Sequence, residues 1–151
     1  MKKLLSLVNQ LSTYIPVSEQ VNSAISEVSI GWHIEHACLV IIKITETIKQ
    51  SNPDQFNPRF SFMKLVVFIT GKFPRGKAKA PAAVMPVEQL TSSQLLESIA
   101  NAKKAIEELN NCAKNQFFTH PIFGNLNKTQ TFPFLGIHTN HHIHIIQDIA
   151  A

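Results

Sequence analysis

Apolar residues recur at helical spacing along most of the chain, in stretches divided by prolines, glycines and asparagines. Leu4, Leu7, Val8 and Leu11 fall on one face of a first helix that ends before Pro16, and the segment from Val17 to Val28 is polar and mixed, with room for one short helical turn. Ser29 is a good N-cap for a second helix running to about Gln50. Its apolar positions wrap most of the way round, which predicts a central place. SNPDQFNP ends it, and a third helix from about Arg59 to Thr70 is expected to bury Phe62, Val66 and Ile69 and to stop at Gly71.

FPRGKAKAPAAVMP, with Pro74, Pro81 and Pro86, cannot hold regular structure and reads as a long irregular crossover. Connections of that length are often functional. Thr91 with Gln94 three residues on is a capping-box pattern for a fourth helix reaching about Lys114, with Leu95, Ile99, Ile106 and Leu109 facing inward. NQFFTHPIFGNLN reads as a loop, and the final helix is expected from about Thr129 with Pro133 in its first turn, where proline is tolerated. No window shows strand alternation between turn signals, and no internal repeat is visible. The expectation is an all-α single domain over residues 1–151, a four-helix bundle with one long irregular crossover loop.

At 151 residues the chain is long enough to bury a core without staples. Cys38 and Cys112 are far apart in apolar helical contexts, which suits buried thiols in a reducing compartment. MKKLLSLVNQLSTYIP imitates a secretory signal, but Asn9, Gln10, Ser12 and Thr13 interrupt its apolar core. The most apolar internal run, ACLVIIKI, is far too short to span a bilayer. A soluble cytoplasmic protein without membrane partners is the expectation. The formal charge of +4 invites a nucleic-acid reading. Basic residues are dispersed, however, apart from Lys72, Arg75, Lys77 and Lys79, and neither a basic face with interleaved aromatics nor a nucleic-acid-binding motif is present, so no nucleic-acid partner is expected.

The chemistry concentrates in histidines. His138 and His142 stand four apart in IHTNHHIHIIQDI, where the period of Leu135, Ile145 and Ile149 would otherwise place aliphatic side chains. Two buried imidazoles leave ring nitrogens needing partners, at about 1–3 kcal/mol for each left unsatisfied. A shared metal ion would satisfy both, and so would ordinary hydrogen bonds. A third ligand is on offer in GWHIEHACLV, where His36 shares an arc with Trp32 and Leu39, and this addition favours the metal reading. His33 lies one turn nearer the solvent-exposed start of its helix. His141 and His144 lie about 100° and 200° round from His142 and point away from the proposed ion. His141 could still flank the pocket, and His33, His120 and Trp32 are further candidates to line it; His120, before Pro121 in a loop, could shuttle a proton or hold the loop by a hydrogen bond, and the structural role is favoured. Glu35 projects from another face than His36 and is not assigned as a base. Arg75 in the crossover is a candidate contact for a substrate carboxylate or phosphate, weighed against an ordinary solvated loop charge.

These residues also carry a resemblance. The order of elements, Trp32 four before His36, the crossover FPRGKAKAP, the turn HPIFGNL and the ending FLGIHTNHHIHIIQDI resemble the DinB/YfiT-like metalloenzyme superfamily, in particular a branch classed as a domain of unknown function. The similarity covers nearly the whole chain. It implies a four-helix bundle holding a divalent metal, zinc or nickel, through three histidines, matched here by His36, His138 and His142. It implies a small-molecule substrate, such as the low-molecular-weight thiols bacillithiol or mycothiol used by thiol-dependent transferases and isomerases, and a homodimer. The basic crossover and the HPIFG turn depart from the better-known members.

Three neutral imidazoles leave a bound divalent ion its full charge, so a water or thiol held there would ionise near roughly pH 7. The expectation is a metal-dependent enzyme of transferase or hydrolase type. The alternative is a non-catalytic helical interaction module with a structural metal or none.

Overall fold

The computed structural model describes residues 1–73, 84–86 and 89–151. Helix α1 spans Lys2–Ser12 and buries Leu4, Leu7, Val8 and Leu11, the stripe its sequence predicts. A 3-10 turn at Ile15–Val17 follows. The chain then folds back over the start of helix α2, Ile30–Gln50, where the backbone N–H groups of Ile30 and Gly31 donate to the carbonyls of Gln20 and Ser18. Ser29 caps α2, its side chain accepting from the Trp32 N–H. That doubling back covers the first turn of α2. His33 is consequently only 4% exposed, not near solvent as its place at the helix start suggests.

Helix α3 is shorter than expected, Phe62–Thr70, and ends at Gly71 in the left-handed conformation (φ 65°) that glycine adopts without steric cost. Its burial is the reverse of the sequence expectation. Phe62 and Ile69 are 69% and 74% exposed and Val66 is not buried, whereas Val67 is the residue turned inward. α3 is so apolar that its pattern cannot single out one face, and the narrow contact it makes with the rest of the molecule selects Val67.

Helix α4, Ser92–Asn111, has the complete Thr91/Gln94 capping box and buries Leu95, Ile99, Ile106 and Leu109. It stops at Asn111, short of Lys114, with Cys112 as its C-cap. Both cysteines are buried free thiols.

The segment expected as a loop contains an antiparallel hairpin, β1 Phe117–His120 and β2 Gly124–Asn127, in which Phe118 pairs with Leu126. Each four-residue strand buries one side chain, Phe118 or Leu126, so there is no alternation for a sequence pattern to reveal. Gly124 takes φ 69° after the turn. The described residues are therefore mostly helical with one small two-stranded sheet, compatible with the expected all-α class.

Helix α5, Lys128–Ala150, starts immediately after β2. A second complete capping box, Asn127 with Gln130, fixes that start. Pro133 is thus the sixth helical residue, in the second turn and not the first, and leaves the Thr129 carbonyl without its usual N–H donor.

Helices α1 and α2 each pack on both α4 and α5, closing a ring of four around the apolar core. α3 packs on α5 outside that ring. No helix among the described residues is long and apolar enough to cross a membrane.

Candidate metal centre

The packing of α2 on α5 brings His36 to His138 and His142. One ligand nitrogen from each lies within 4.8 Å of the others, close enough that the three could hold a cation. The ring centroids are 5.3 Å apart for His36 and His138, and 4.7 Å for both His36 with His142 and His138 with His142. Nitrogens sharing a zinc ion, with bonds of about 2.0–2.1 Å, stand roughly 3.4 Å apart. The rings would need to draw together by about an ångström, within reach of small side-chain rotations.

The hydrogen bonds decide which nitrogens are free. His36 Nδ1 lies 2.8 Å from the carbonyl oxygen of Val84. A carbonyl only accepts, so His36 carries its proton on Nδ1 and its lone pair on Nε2. His142 Nδ1 lies 3.0 Å from His33 Nδ1, and His33 Nε2 lies 3.0 Å from Ser26 Oγ. His138 Nδ1 is buried with no hydrogen-bond partner. A cation held by His36, His138 and His142 fits this donor set, in which His138 Nδ1 is a buried ring nitrogen left without a hydrogen-bond partner.

Electrostatics keeps these rings neutral. Burial is the main force pushing His33 down to about 4, with the charges of His36 and His141 adding to it. Burial also lowers His36, opposed by its bond to Val84. His138 and His142 are pushed well below the usual imidazole range, first by burial and then by their histidine neighbours. Neutral imidazole is the form that binds metal.

Aromatic rings enclose the cluster. Trp32, which shares a helical arc with His36, stacks on it at 5.0 Å and meets His33 edge-on. Phe134 stacks on His138, and Phe73 meets both His138 and His141 edge-on. His141 therefore borders the cluster without joining the three ligand atoms, and His144 is exposed. His120 turns out to hold the hairpin turn. Its Nδ1 accepts the N–H groups of Ile122 and Phe123, its ring stacks on Phe123, and burial lowers it to about 4.

Glu35 is buried but not among the clustered ligand atoms, and its charge is felt at Cys38. Arg75, with Lys77 and Lys79, lies outside the described residues. Four participants are not singled out by the sequence pattern: Val84, Phe73, Phe134 and Ser26. Val84 contributes only a backbone oxygen, which no residue pattern reveals. Phe73 sits beside breakers that hide its packing, and Ser26 lies in a stretch without periodicity.

No protein-family model, curated protein or solved structure matches this chain.

Proposed function

We propose that this protein is a divalent-metal-dependent enzyme of the DinB/YfiT-like kind, with α1, α2, α4 and α5 as its four-helix bundle and His36, His138 and His142 as ligands for zinc or nickel. The observation that carries the reading is the convergence of the three ligand nitrogens within 4.8 Å from two helices distant in sequence. When bound, such an ion lowers the pKa of a coordinated water or thiol towards roughly 7, which suits transfer to an electrophilic carbon or hydrolysis of a small-molecule substrate. The chain's own groups prepare the site for this. Val84 holds His36 with Nε2 bare, burial keeps the imidazoles neutral, and Trp32, Phe73 and Phe134 shield the rings from bulk water.

A second reading, a helical interaction module whose metal is structural, draws on the apolar side chains that α3 turns to solvent, Phe62, Leu65 and Ile69. Loading decides the ligand set for both. Protein reconstituted with zinc or nickel is expected to retain about one ion per chain by elemental analysis, and His138→Ala to retain none. Unchanged metal content in that variant rejects the assignment.

A further inference from the structure

We infer that His33 is a positioning residue for the metal centre, fixing through a His142–His33–Ser26 relay the tautomer in which His142 offers Nε2 to the ion. The inference rests on the three-histidine reading and concerns a residue outside the ligand set.

The argument is a count of protons. His142 Nδ1 and His33 Nδ1 are 3.0 Å apart, so in the neutral rings one carries a proton and donates it to the lone pair of the other. If His33 donates, His142 Nδ1 is the acceptor, its proton sits on Nε2, and Nε2 cannot bind an ion. If His142 donates, its Nε2 is bare. His33 then carries its own proton on Nε2, facing Ser26 Oγ at 3.0 Å. A serine oxygen has two acceptor sites. It can take that N–H as well as the Val28 N–H that reaches it at 3.4 Å. Only the second arrangement lets His142 act as a ligand through Nε2.

The remaining geometry agrees. His33 is nearly fully buried under the doubled-back segment that carries Ser26, so water does not compete for its nitrogens. His36 receives the equivalent treatment from the Val84 carbonyl, so two of the three ligands are held by hydrogen bonds behind the ring. Partners of this kind fix ring orientation, and losing one typically costs about 10–100-fold in metal affinity.

Two measurements on the full chain test this, with zinc as the probe. Two-bond ¹⁵N–¹H correlation spectra of the zinc-loaded protein should show His33 protonated on Nε2 and His142 on Nδ1. Finding His33 protonated on Nδ1 overturns the relay, and this needs no variant to fold. Competition against a chromophoric chelator should show His33→Phe binding zinc about 10–100-fold more weakly with helicity retained. His33→Asn, whose side-chain oxygen can accept from His142 Nδ1, should recover most of the loss. Equal affinity in wild type and His33→Phe overturns the relay while leaving the ligand set standing. Wild-type protein that takes up no zinc removes the three-histidine reading itself, and the relay with it.

Discussion

His36 Nδ1 donates to the carbonyl oxygen of Val84 at 2.8 Å, joining α2 to a backbone group 48 residues away in the crossover. A side chain of the candidate metal centre is thus held by an atom that no substitution can delete. Val84 itself is buried, and that burial anchors its carbonyl. Val84→Gly should therefore loosen the anchor and weaken zinc binding by about 10-fold without altering a ligand, at the lower end of what such partners contribute. Chelator competition with parallel circular dichroism measures it, and unchanged affinity would show that the carbonyl holds its place without the side chain.

Whether the centre is open separates the enzyme from the structural module. Three histidines leave a coordination position that a fourth protein ligand would close. Cobalt-substituted protein should change its visible spectrum when azide or a small thiol is added. A tetrahedral spectrum indifferent to both would favour the module.

Stability of the metal-free protein should fall on the acid side. His33 and His120 sit at about 4 in the folded chain against an ordinary 6.5, both chiefly through burial. Between those values the unfolded chain binds more protons, so the contribution is fully present above about pH 6.5 and is lost as pH falls through about 4. At about 1.4 kcal/mol per unit, His33 alone contributes roughly 3 kcal/mol. Urea midpoints of chelator-treated protein at pH 7.5, 6 and 4.5 give the slope. A flat profile would mean these rings are hydrated in solution.

The exposed side of α3 predicts an inverted mutational pattern. Ile69→Asn and Phe62→Ser should change stability by no more than about 0.5 kcal/mol, as surface substitutions do. Val67→Ala, which removes two buried methyl groups, should cost about 1.5–2 kcal/mol. Urea denaturation of the three variants compares them directly, and a large loss at Ile69 would place that side chain in contact with something in solution.

Much of the helical frame was legible in the residues. Ser29, Thr91 with Gln94 and Gly71 mark helix ends through local chemistry, since a side-chain oxygen meeting a backbone N–H, or a glycine at positive φ, needs no distant partner. The stripes of α1 and α4 were readable because each has polar residues on its other faces. α3 has none of that contrast, and its inward residue could not be chosen. The hairpin was hidden because strands burying a single residue apiece leave no period. Pro133 falls in the second turn and not the first because the cap that sets the start of α5 is Asn127, the last residue of a strand that no sequence period announces.

The centre divides in the same way. Sequence by itself determined that His138 and His142 share a face of α5 and that His36 falls on an arc with Trp32, because a helix repeats every 3.6 residues whatever surrounds it. Only the tertiary structure decided that the two faces meet, that His33 lies behind His142 and not beside solvent, and that Val84 returns to hold His36. Those relations join residues 48 to 109 positions apart. They arise from how whole helices and a crossover pack, and no local period carries that information.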